Sequence, residues 1–155
     1  MDNLKVFVRM LARAYRYEDA EQELISHTLL QITNGDVWNA MFDIMKDNEI
    51  HKRMIEVMVE EMGFNVEEFK EYSARSVEID RLEISDDLAV RILNELLKYE
   101  YWAKNYYENM IRLIGPFLSH ELGEKVVERV IKDLERLTEW EKNHIEKIED
   151  LIGKV

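Results

Sequence analysis

The chain has 155 residues, 46% hydrophobic and 35% charged, enough apolar material for the core of one domain beneath a charged surface. A formal net charge of −12 repels phosphate, so nucleic acid and anionic membranes are excluded as expected partners. The absence of cysteine excludes disulfides, thiolate metal sites, cysteine nucleophiles and cysteine-ligated iron–sulfur clusters.

One proline and five glycines leave little sequence for loops, so the composition predicts long helices and an all-α fold. No apolar run is long enough to span a bilayer. The opening Met1-Asp2-Asn3-Leu4-Lys5 lacks a basic segment followed by an apolar one, which predicts a cytoplasmic protein without a secretory leader. Neither a glycine-rich phosphate loop nor a nucleophile elbow is present, which argues against a nucleotide enzyme or a hydrolase.

The first predicted helix runs from about Asn3 to Thr33 on a spine of Leu4, Leu11, Tyr15, Ile25, Leu29 and Ile32. Asn34-Gly35 is read as its stop, and Asp36 as the N-cap of the second helix. That helix carries Val37, Met41, Ile44, Met45, Ile55, Met58 and Val59, and ends at Gly63. So short a turn predicts antiparallel neighbours. A long segment, Phe64 to Ile84, then carries the chain from one end of the bundle to the other, with a short helix where Asn65 and Glu68 have capping-box spacing. Ser85-Asp86-Asp87 opens the third helix, whose spine is Leu93, Leu96, Leu97, Ala103, Tyr107, Ile111 and Ile114, and Gly115-Pro116 is read as its stop. The fourth has Val127, Val130, Leu134, Leu137, Ile145, Ile148 and Leu151; Ser119 and Gly123 both mark candidate starts. The expected architecture is an antiparallel four-helix bundle in one domain, with a long crossover between its second and third helices.

Each spine is interrupted near its middle by polar residues: Glu18 with Gln22 in the first helix, Asn48 and His51 in the second, Glu100 in the third, Glu141 and His144 in the fourth. An ionised carboxylate buried without a partner is costly. Three at one level, with two imidazoles, are explained by two divalent cations. Glu141 and His144, at i and i+3, share a helix face and can reach one ion. Oxygen and nitrogen donors without sulfur suit iron or manganese, with zinc less favoured.

In this pattern the chain resembles the ferritin-like di-iron carboxylate superfamily, which includes ferritins, bacterioferritins and rubrerythrins. The family pattern is a Glu, a Glu-x-x-His, a crossover, a further Glu and a second Glu-x-x-His. Glu18, His51 and Glu100 match it, as does the intact Glu141-Lys142-Asn143-His144. The resemblance implies two metal ions, iron above all, and a small-molecule oxidant, peroxide or dioxygen, at a ferroxidase or peroxidase type of centre. Asn48 departs from the pattern, standing where a Glu is expected. An uncharged amide bridges poorly, so one tight and one labile site are expected; Asp47, one turn from His51, is a candidate to compensate, while Glu49 falls off the stripe. Level alignment of Glu100 with Glu141 requires the fourth helix to begin near Gly123, with Gly115 to Leu122 as a longer connection.

Each of these residues also has an ordinary reading: a satisfied core histidine at His51, or an i,i+4 ion pair of Glu100 with Lys104. The competing classes are a non-catalytic ferritin-like scaffold, for which Asn48 argues, and a metal-binding carrier or regulator without turnover. Met41, Met45, Met54, Met58 and Met62 read as packing. Apolar residues left over on the second helix, Ile50 and Val57 among them, predict a homodimer or higher homo-oligomer. Tyr15, Tyr101, Tyr107, Trp102 and Trp140 fall near the polar level, with packing as the expected role and a redox-active tyrosine as the alternative.

Overall fold

The computed structural model describes residues 3–74 and 87–155, without the side chains of 116 and 117. Helix α1 spans Asn3–Thr28 and passes through a 3-10 turn, Leu29–Gln31, into α2, Gly35–Glu61. A short α3, Val66–Ser73, follows; α4 spans Leu88–Leu122 and α5 spans Glu124–Ile152. The described residues are all-helical. None of these helices is long and apolar enough to cross a membrane.

Several helix ends differ from the sequence expectation. The first helix stops at Thr28 rather than Thr33. The Thr28 hydroxyl turns back onto the Leu24 carbonyl (2.9 Å), and the chain tightens before Ile32 adopts extended angles. The cap of α2 is Asn34, not Asp36: its Oδ1 accepts from the backbone N–H of Asp36 (3.1 Å) and Val37 (3.2 Å), satisfying donors that a helix start leaves free. Gly63, at φ 86°, follows α2 as expected, and Asn65 caps α3 by accepting from the Glu68 N–H at 3.0 Å. Of the long connection, residues 75–86 lie outside the described residues, as do Ser85 and Asp86 of the expected third-helix start.

The largest correction concerns Gly115-Pro116. They do not stop the helix, and Gly115 to Leu122 is not a connection: α4 continues to Leu122. Ser119 caps nothing; it lies inside α4 with its hydroxyl on the Gly115 carbonyl at 2.9 Å. A proline inside a helix costs about 3 kcal/mol. On this extension Leu118 is buried and Leu122 packs partly buried against the same core; a fully buried side chain of this kind contributes about 1.5–3 kcal/mol, so packing offsets the proline. The reversal falls on Gly123 alone, at φ 81° and ψ 154°.

Two apolar clusters fill the interior. One joins Leu11 and Ala14 of α1 to Ile55 and Met58 of α2, Tyr107 and Ile114 of α4, and Val130 and Leu137 of α5. The other joins Leu24 and Ile25 to Met41 and Ile44, Leu93 and Leu96, and Ile148. Early α1 therefore meets late α2, and early α4 meets late α5, so each short reversal makes an antiparallel pair. The gap between the clusters falls between positions 14 and 24, 44 and 55, 96 and 103, and 137 and 148. Every polar residue singled out above lies in that gap. On the outer side of α2, Phe42, Ile50 and Val57 are exposed.

Candidate metal centre

The hairpin through the 3-10 turn sets Glu18 of α1 opposite His51 of α2, and the reversal at Gly123 sets Glu100 opposite His144. Glu100 precedes Leu122 by 22 positions (122 − 100) and His144 follows it by 22 (144 − 122). The extra length of α4 is thus what brings the two residues level. Glu18, Asn48, His51, Glu100, Glu141 and His144 are all buried, at 5% exposure or less.

Two groups of three potential ligands form, Glu18 with His51 and Glu141, and Glu100 with Glu141 and His144; within each, the donor atoms lie within 4.8 Å of one another. Glu141 belongs to both. Its Oε1 lies 2.9 Å from His51 Nδ1, off the hydrogen-bond axis, and its Oε2 lies 3.8 Å from His144 Nδ1. His51 Nδ1 also meets Glu18 Oε2 at 3.3 Å, and His144 Nδ1 meets Glu100 Oε2 at 3.2 Å. Both imidazoles therefore turn the same nitrogen toward the carboxylates.

The opposite nitrogens differ. His144 Nε2 lies 2.8 Å from Asp47 Oδ2; donating to that carboxylate leaves the Nδ1 lone pair directed at the site. Asp47 thus reaches the far side of His144 rather than substituting for a ligand at position 48. His51 Nε2 is buried without a hydrogen-bond partner, and the Trp140 indole meets that ring edge-on at 4.8 Å. The Tyr107 hydroxyl, fully buried, donates to Glu18 Oε1 at 2.7 Å.

Of the remaining expectations, Glu49 is exposed and pairs with Lys52, so it stays off the site. Lys104 pairs with Glu108 at 3.7 Å rather than with Glu100. Tyr101 is exposed, with its hydroxyl on Glu149.

One residue was missed. Glu21, one turn beyond Glu18, is only 3% exposed, and its Oε1 accepts from the Asn48 amide at 2.9 Å. Gln22, read as lying on the inner stripe, instead hydrogen-bonds Glu49 at the rim. The signal for Glu21 was the Asn itself: an amide at an inward position requires an acceptor.

Electrostatics divides these groups. Burial pushes the Glu18 carboxyl up, and Glu141 pushes it further. Burial raises Glu21 well above the ordinary value, with Glu141 and Glu18 adding to it. Burial alone would lower the His51 imidazole, but Glu18 and Glu141 outweigh it and carry it up to about 10. Burial likewise opposes ionisation of Glu141, but the two histidines overcome it and hold the carboxyl at about 2. His144 is raised against burial by Glu141 and Asp47. The metal-free arrangement thus sets an ionised Glu141 against a protonated His51, with His144 on its other side.

Five buried side-chain atoms here make no hydrogen bond: Glu21 Oε2, Asn48 Oδ1, His51 Nε2, Glu100 Oε1 and Glu141 Oε1. Buried polar atoms are seldom left so. Four of the five are oxygens suited to a hard cation. The donor set of each group could hold a metal ion, and Glu141 is common to the two. The chain matches no family model, no curated protein and no solved structure.

Proposed function

We propose that this chain is a ferritin-like protein whose four long helices hold two metal ions, iron in preference to manganese or zinc, and that it oxidises Fe(II) or reduces peroxide or dioxygen. The observation that carries this reading is the division of Glu141, one oxygen toward each histidine, between two three-ligand groups. Glu18 and His51 would hold one ion, Glu100 and His144 the other, and Glu141 both. Iron supplies one-electron redox chemistry when bound. The protein's part is to hold the donors: Tyr107 fixes Glu18, Asp47 fixes the tautomer of His144, and the apolar clusters on either side exclude water.

The charged network favours a second reading. With His51 protonated against Glu18 and Glu141, the buried carboxylates have cationic partners without any metal, which supports a non-catalytic scaffold. Metal content separates the two. After anaerobic Fe(II) loading and desalting, the wild type is expected to retain about two ions per chain, and Glu141→Ala with His144→Ala to lose them. A wild type that retains none leaves the scaffold. Fe(II)-dependent consumption of peroxide or dioxygen then separates catalysis from carriage.

A further inference from the structure

Asn48 interrupts the family pattern, yet its surroundings are not those of a lost ligand. The side chain is fully buried. Its amide nitrogen faces two acceptors, Glu21 Oε1 at 2.9 Å and the Glu18 backbone carbonyl at 3.5 Å. That fixes the orientation of the amide, because an oxygen in the same place would face two oxygens. Oδ1 is consequently turned the other way and has no hydrogen-bond partner. Asn48 stands one turn from His51 on the same face of α2. Glu21 belongs to neither three-ligand group, and its own Oε2 is likewise buried without a partner.

We propose that Asn48 and Glu21 act as one unit of the metal centre: Asn48 Oδ1 is the oxygen donor, and Glu21, hydrogen-bonded to the other end of the amide, supplies the negative charge that a carboxylate at position 48 would have brought. This rests on the two-ion reading above. Two divalent ions carry four positive charges, and Glu18, Glu100 and Glu141 offer three negative ones. Glu21, giving up its proton as the ions bind, brings the fourth. A carboxylate accepting from an amide N–H also draws electron density toward the carbonyl oxygen, making it a better donor to a cation. The charge thus sits one residue away from the donor atom, relayed through a planar group whose two ends face opposite ways. Asp47 does not fill this role, because its carboxylate is engaged on the far side of His144.

The test exchanges the charge across the hydrogen bond. Glu21→Gln keeps an acceptor for the Asn48 amide and removes only the charge. Retained Fe(II), after anaerobic loading and desalting, is expected to fall from about two ions per chain to about one. Asn48→Asp combined with Glu21→Gln reverses donor and acceptor in the same hydrogen bond, returns the charge to position 48, and is expected to restore about two. The metal-free thermal midpoint of Glu21→Gln is expected at or above that of the wild type, since a buried carboxyl group is replaced by an amide.

If Glu21→Gln retains as much iron as the wild type, the relay is overturned while the two-ion centre stands. The relay also fails if the double variant folds with full helicity but does not recover the second ion, or if metal-free Glu21→Gln melts well below the wild type, either of which makes Glu21 a structural residue. A wild type that retains no iron overturns both the relay and the centre.

Discussion

At the scale of single residues, several groups of the centre hold their protons differently in the folded chain and in the unfolded one. His51 is raised from 6.5 to about 10, so the folded state holds its proton more tightly. The stability this contributes is fully present below pH 6.5 and is lost as pH rises through about 10. Glu18 and Glu21, raised by burial, act in the same direction above the carboxylate range. Glu141 acts oppositely: held at about 2, it contributes above the ordinary carboxylate value, and that contribution disappears as pH falls toward 2. The thermal midpoint of the metal-free protein, followed by circular dichroism in chelator, is therefore expected to fall steadily from pH 6.5 to 10. His51→Gln is expected to flatten that slope. An unchanged slope in the variant would show that the imidazole does not carry the proton. Six residues of the centre, Glu18, Asn48, His51, Glu100, Glu141 and His144, are visible in the sequence as polar breaks in apolar spines. Glu21 is not, because the stripe of a helix is wide enough for Glu21 or Gln22 to be its inward member. The Asn48 amide across the interface decides between them, and periodicity within one helix holds no record of a partner on another.

At the scale of elements, the site depends on how the helix pairs are closed. Asn65 caps α3 where its spacing to Glu68 predicted, because the cap is a local bond to the next turn; Asn34, read as part of a stop, caps α2 in place of Asp36. Gly115-Pro116 shows where local rules fail: burial of Leu118 and packing of Leu122 beyond them are tertiary effects, and no local signal announces them. The whole reversal then falls on Gly123. Its angles, φ 81° and ψ 154°, lie where only glycine is at ease. An added Cβ meets nothing within 4 Å, so Gly123→Ala tests the backbone without a steric clash. It is expected to destabilise the fold by about 1–3 kcal/mol, measured by urea unfolding with an unchanged m-value. A neutral result would mean the turn relaxes to negative φ without moving α5. Because Glu100 and His144 are equidistant from Leu122, a turn that instead shifted α5 along α4 would also separate these two residues.

At the scale of the whole molecule, the polar level is a break in the core. The four long helices contribute to both apolar clusters, and between the clusters lies a layer of carboxylates and imidazoles. Apolar packing above and below holds the helices at a fixed distance, but within the layer the metal-free protein relies on charged contacts with little net value once desolvation is counted. Two ions there would tie α1, α2, α4 and α5 together at the one height where packing does not. Ligand binding to the folded state stabilises it by about 2.7 kcal/mol per site at a free concentration a hundred times the dissociation constant. For a chain of this size each kcal/mol raises the midpoint by about 2–4 °C, so saturation of both sites is expected to raise it on the order of 10 °C. Chelator should reverse the rise, and Glu141→Ala with His144→Ala should show none. The pH dependence should also change sign. Ions displace the proton of His51, raised to about 10, so the increment grows as pH rises from 6.5 toward 8, over the range in which the metal-free protein weakens. A metal-induced rise that shrinks with increasing pH would place the ions on surface carboxylates rather than on the imidazoles between the two clusters.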